Sequence, residues 1–148
     1  MIEVIGNLWT YTTPDGRSPD ARVVTTNGVV KSNGELVMGA GVALEAKRRH
    51  PSLPIILGQA VTGLGNEPFW IVVDGEVIVS FPTKHHWKHP SDIRLIESGA
   101  TKIAQMRALT DRVVVMPRPG CGNGGLRWSE VRPVLVPILD DRFHVITF

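Results

Sequence analysis

Three segments carry residues whose types and spacing could do chemistry. The first is Phe81-Pro82-Thr83-Lys84-His85-His86-Trp87-Lys88-His89-Pro90, a basic and aromatic loop. Lys84 in it is either a contact for an anion or a nucleophile, and the residues alone leave both open. His85, His86 and His89 suggest a metal. However, no Asp, Glu or Cys stands among them, and the spacing is not that of a zinc site. Neither a metal nor a cofactor is expected. The second segment runs from Met116 to Trp128 and holds four glycines among the six residues Gly120 to Gly125. Such a loop can turn successive backbone N–H groups toward one anion. It has no Gly-Lys-Ser/Thr, which argues against nucleoside triphosphate hydrolysis. It also lacks the spacing of the dinucleotide fingerprint. Cys121 within it reads as a small residue packed under a tight loop rather than as a nucleophile. In the third segment Thr25-Thr26-Asn27-Gly28 leaves a strand and Met38-Gly39-Ala40-Gly41-Val42-Ala43 enters a helix. A helix N-terminus brings free N–H groups and a positive dipole end, which suit a phosphate. Two glycine-rich loops, each after a strand and before a helix, fit a diphosphate held between them at the strand ends.

The elements that must position these loops follow from local pattern. Ile2 to Trp9 reads as a strand, Thr12 to Pro19 as a turn-rich loop, and Ala21 to Thr26 as a buried strand. Gly39 to His50 reads as a helix with basic residues in its last turn and Pro51 as its stop. Phe69 to Val73 and Glu76 to Phe81 flank Asp74-Gly75, the pair a type I′ hairpin turn wants. Ser91 is the expected N-cap of a helix to Leu109, with Ile93, Ile96, Ala100 and Ile103 on one face. Arg112 to Met116 is an apolar strand, Ser129 opens a last helix to Leu139, and Phe143 to Phe148 is the final strand. That order predicts an α/β fold with a mixed central sheet covered by helices on both faces.

Composition narrows the class. The chain has 148 residues, which predicts one domain spanning 1–148. With 43% hydrophobic and 20% charged residues it is expected to be globular rather than disordered. The net charge of +2 permits contact with phosphates without demanding nucleic acid. One cysteine makes neither an internal disulfide nor a multi-cysteine zinc site. No apolar run is long enough to span a membrane and the N-terminus lacks a signal-peptide pattern, so a cytoplasmic chain with no membrane partner is expected.

The loops resemble those of macrodomains, the ADP-ribose-binding family. The resemblance covers nearly the whole chain. It rests on Gly6-Asn7-Leu8, Thr26-Asn27-Gly28, Met38 to Ala43, Phe81 to Trp87, and Gly120 to Val131. The pairing of Pro-Thr-Lys-His-His-Trp with Gly-Cys-Gly-Asn-Gly-Gly-Leu-Arg-Trp is similar to the branch of the DarG-type DNA ADP-ribosyl glycohydrolase antitoxins and the terminal ADP-ribose protein glycohydrolase. It implies a three-layer α/β/α sandwich. It also implies removal of terminal ADP-ribose from a macromolecule, with a DNA base favoured over protein Glu/Asp. The alternatives are a non-catalytic ADP-ribose reader and a hydrolase of small derivatives such as O-acetyl-ADP-ribose or ADP-ribose 1″-phosphate. Lys84 matches the family's catalytic lysine. Asn7 and Leu8 stand at the adenine-contacting pair, with Asn7 in place of the family's acid. Asn27 matches the distal-ribose asparagine, beside Thr26. Gly39, Ala40, Gly41, Val42 and Ala43, with Pro82 and Thr83 and with Gly120, Cys121, Gly122, Asn123, Gly124, Gly125 and Leu126, complete the implied ADP-ribose site. The protein-directed relative has an Asp where Gly124 stands, so no acid/base partner for Lys84 is assigned. Val29 to Val37 is longer than the antitoxin branch implies, and is expected to act as a lid or to bring Glu35 to the site. Expected partners are ADP-ribose or ADP-ribosylated DNA or protein and an ADP-ribosyltransferase toxin, with the chain a monomer.

Overall fold

A computed structural model describes residues 1–147. Six strands form one sheet: β1 Ile2–Ile5, β2 Ala21–Thr26, β3 Phe69–Val73, β4 Glu76–Pro82, β5 Val114–Pro117 and β6 Phe143–Thr147. Their spatial order is β1-β6-β5-β2-β4-β3. Every pair is parallel except β3 with β4. The sheet is therefore mixed, as its pattern predicts. The hairpin turn has the backbone its residues demand, with φ of 50° at Asp74 and 77° at Gly75.

The near-continuous apolar runs of the inner strands are those of strands buried on both faces. Val23, Val79, Phe81, Met116 and Val145 face one layer, made by α3 (Ile93–Ala104) and α4 (Trp128–Leu135). Val24, Ile78, Val115 and Ile146 face the other, made by α1 (Gly41–Arg49) and α2 (Leu53–Leu64). The result is the three-layer sandwich.

Several expected boundaries move. The first strand stops at Ile5 rather than Trp9, because Asn7 turns the chain: its Oδ1 accepts from the Trp9 N–H at 2.9 Å. Helix α1 begins at Gly41 rather than Gly39. Helix α2 is not expected from the sequence, where Pro51 reads as a stop. Pro54 lies in the first turn of α2, where a missing N–H leaves no bond unmade. Asp92, not Ser91, caps α3 by accepting from the Arg94 N–H at 2.9 Å. The Ser91 N–H instead donates to Gly124 O at 2.9 Å, which ties it to the glycine loop. Helix α3 ends at Ala104, and Arg107–Leu109 is a separate 3₁₀ turn. Helix α4 starts at Trp128, one residue before Ser129, because Glu130 Oε2 accepts from the Arg127 N–H at 2.8 Å. It ends at Leu135, short of Leu139 and of Pro137. Phe148, expected in the last strand, lies outside the described residues.

Candidate active site

The site opens where the sheet splits. Strand β2 pairs with β4 over five positions, from Arg22–Ile78 to Thr26–Pro82, but with β5 only at Ala21–Val114 and Arg22–Val115. The carboxyl ends of β2 and β5 are thus not paired with each other, although β2 continues along β4 and β5 along β6. The chain leaves β2 into one helical layer and β5 into the other. This is the crevice in which parallel sheets place ligands. A cleft of about 940 Å³ lies there.

One wall is the start of α1. Ala40 is its N-cap, in extended backbone with no side-chain cap, and no acid stands in the first turn. The first N–H groups of the helix have no intrahelical acceptor, and its positive end meets the cleft. Gly41 holds φ at 56°, and a Cβ on it would lie 2.9 Å from Asn123 Nδ2. The two glycine-rich loops therefore touch through Asn123. In the second loop a Cβ at Gly124 would collide with Ser91 Oγ. A side chain at that position would have to displace the Ser91 hydroxyl.

The remaining wall is the segment after β4. The Thr83 N–H donates to Thr26 O at 3.0 Å and the Asp92 N–H to Thr83 O at 2.9 Å, which pin both its ends. Asn66 Nδ2 donates to Lys84 O at 3.0 Å. Lys84 Nζ reaches across to donate to Asn123 O at 3.0 Å and to Trp87 O at 3.5 Å. Among the described residues no carboxylate lies within ion-pairing distance of that amine. The three histidines do not converge on one point. His85 Nε2 lies 2.8 Å from Asp92 Oδ2, while His86 stacks beside Trp87. The His85 contact, helped by the Arg94 N–H, holds the Asp92 carboxyl below its ordinary range. No group of three metal-ligating side chains occurs among the described residues.

The cleft is lined by Thr26, Asn27, Gly39 to Ala43, Thr83, Lys84, and Gly120 to Gly124. Asn27 is also a brace: its Nδ2 donates to Val37 O and its Oδ1 accepts from the Val29 N–H, both at 2.8 Å. Those bonds close Val29 to Val37 into a tight excursion bridged at Val30–Leu36 and tied to α2 by the Leu36 N–H to Pro54 O bond at 2.8 Å. The excursion packs against α2 and is not a free lid. Glu35 pairs with Lys31 at 3.5 Å and does not line the cleft. Cys121 lines it half-buried, and burial raises its thiol above the ordinary range, which disfavours a thiolate nucleophile.

Five expected residues lie outside the lining. Asn7 is exposed at its turn and Leu8 is in the core. Pro82 is buried behind Thr83, Gly125 carries a left-handed turn, and the Leu126 N–H closes the loop on Gly120 O at 3.0 Å. Of the flanking cations, Arg118 lines the cleft, whereas Arg127 faces Glu130 at 3.8 Å. Glu45, Ile146 and Thr147 also line the cleft, and the sequence motifs do not point to them. Glu45 accepts from Trp9 Nε1 at 2.8 Å. Its place four residues after Gly41 puts it on the same helix face, and that spacing is a signal that was there to use.

This sheet order and this cleft, with a helix start facing a glycine-rich loop, define the macrodomain class. No model of a known protein family matches the chain. Comparisons with individual proteins do. The DNA ADP-ribosyl glycohydrolase of Mycobacterium tuberculosis is 36% identical over 110 residues, 68% of this chain and 31% of that protein. The chain thus spans under a third of the length of this curated relative. The solved macrodomain of Mycobacterium tuberculosis DarG superposes with a TM-score of 0.78 at 28% identity, covering 99% of this chain and 97% of that one. The Thermus aquaticus DarG macrodomain gives 0.74 at 30% identity, covering 99% and 96%. Thermosipho africanus DarTG, solved in complex with ADP-ribose, gives 0.72 at 26% identity over 86% of this chain and 38% of that one. The chain belongs to the macrodomain family, and within it to the DarG type.

Proposed function

We propose that this macrodomain binds ADP-ribose along the cleft and releases it from a modified base in DNA, with Lys84 as the reacting residue. The observation that carries this reading is the position of Lys84 Nζ, 3.0 Å from the carbonyl of Asn123 on the glycine loop. An ADP-ribose whose diphosphate lies between the α1 start and that loop brings its distal ribose to this amine. The helix end and loop N–H groups neutralise the diphosphate. The bond to the anomeric carbon breaks through an oxocarbenium-like centre. The unprotonated amine attacks that carbon, and the base departs with the bonding pair and takes up a proton. Water then cleaves the bond to lysine, giving free ADP-ribose and regenerating the amine. The names of the relatives support DNA as the target, and Thermosipho africanus DarTG in complex with ADP-ribose supports that ligand. A transferase–glycohydrolase fusion from the same organism supports an ADP-ribosyltransferase as partner. The reading places a monomeric single domain, residues 1–148, in the cytoplasm. Among the described residues no helix is long and apolar enough to cross a membrane.

The test is incubation with an oligonucleotide ADP-ribosylated on thymidine and with a protein ADP-ribosylated on glutamate, with free ADP-ribose followed by mass spectrometry. Release from the oligonucleotide that Lys84→Ala abolishes is the expected result. Release from the protein alone moves the target. No release from either, with ADP-ribose still bound in calorimetry, overturns the reading in favour of a binding module.

A further inference from the structure

Trp87 lines the cleft on the same segment as Lys84. Trp87 is 49% exposed. Its carbonyl accepts from Lys84 Nζ at 3.5 Å, and both residues line the cleft. His86 stacks beside the indole with centroids 5.4 Å apart and planes at 27°. The Lys88 ammonium lies 5.1 Å from the ring centroid. From Lys84 to Arg94 the chain carries Lys84, Lys88 and Arg94 against the single acid Asp92, which His85 already engages. An exposed indole flanked by cations, contiguous with the cleft, matches an aromatic base joined to a phosphate.

We propose that Trp87 and Lys88 form a nucleotide subsite beside Lys84. Trp87 stacks the base next to the modified one, and Lys88 holds the phosphate between them. This rests on the DNA reading of the same site and adds to it a contact with the neighbouring nucleotide, whose face stacks on an aromatic side chain. The incoming base replaces the Lys88 ammonium over the ring, and the ammonium moves to the phosphate. A modified protein side chain offers this subsite neither a ring nor a phosphate.

The experiment uses three substrates with the same ADP-ribosylated base: the isolated nucleoside, a short single strand, and that strand with abasic neighbours. For the wild-type chain kcat/KM is expected to be about tenfold or more higher on the intact strand than on the abasic one, the scale of one base stacked on an aromatic ring. In Trp87→Ala that ratio falls to about one, while Trp87→Phe keeps most of it, as a ring-stacking contact requires. Lys88→Ala flattens the salt dependence of kcat/KM on both strands by about one phosphate contact. An equal rate on intact and abasic strands with the wild-type chain overturns the subsite, as does a ratio unchanged in Trp87→Ala. Both outcomes leave the glycohydrolase reading standing. Release from none of the three by the wild-type chain overturns that reading, and the subsite falls with it.

Discussion

The two ends of the parallel strands handle polar groups in opposite ways. At the starting end the groups close on one another. His50, almost wholly buried, sets Nδ1 2.7 Å from Asp74 Oδ2 and Nε2 2.7 Å from Glu76 Oε2. Arg22 lies 3.7 Å from the same Glu76 and donates to Leu8 O at 3.0 Å. At the finishing end the groups are held but not matched. The Lys84 amine has only carbonyl partners, the α1 start has no cap, and Asn123 leans over Gly41. A closed network stabilises the sheet and offers nothing to a ligand. An open one keeps charge and N–H groups available for a ligand, at a cost in stability that the closed end and the two cores offset.

Four substitutions break or sharpen that contrast. Lys84→Ala should lower ADP-ribose release by at least about 10²-fold, the scale for a group acting on reacting atoms. Calorimetry should show ADP-ribose still bound. A variant that turns over normally removes Lys84 from the chemistry. His50→Ala, at the closed end, should cost about 2–3 kcal/mol in urea unfolding through its lost hydrogen bonds to carboxylates. Its affinity for ADP-ribose should match wild type, and a large drop would couple the two ends. Gly41→Ala forces a side chain into left-handed backbone, which costs about 1–2 kcal/mol, and it also displaces Asn123. That strain is present with and without ligand and should appear as the same loss in urea unfolding, while the displaced Asn123 should weaken ADP-ribose binding in the same titration. Asp92→Ala removes the α3 cap and should cost about 1 kcal/mol near neutral pH. The Asp92 carboxyl is lowered in the folded chain, so its contribution is complete above the ordinary carboxylate value. It disappears as pH falls through the lower folded value. Urea melts of both proteins should therefore converge on acidification.

What could be read along the chain was what neighbouring residues decide among themselves. The Asp74-Gly75 turn and the ranges of β2 and β3 depend on backbone preference and short apolar runs, and the structure has them as expected. Helix α2 escaped because Pro54 stops a helix in its interior and is harmless in a first turn, and position in the helix is not a local property. Asp92 replaced Ser91 as a cap because Ser91 is held by Gly124, far along the chain.

The site divides in the same way. Its glycine loops stand out by composition, whereas Lys84 stands out among the loop's basic residues only through the family resemblance. Glu45, Ile146 and Thr147 join the cleft because α1 lies against the sheet and β6 pairs with β5. The sequence by itself determined which loops can approach an anion, since a small side chain or a left-handed turn is a property of one residue and its neighbours. The tertiary structure alone decided that those loops face one another, that Gly124 lies against Ser91, and that Lys84 meets Asn123 across 39 positions. Such contacts form only when strand order brings distant loops to the same edge, and strand order is settled by burying both faces of the sheet at once.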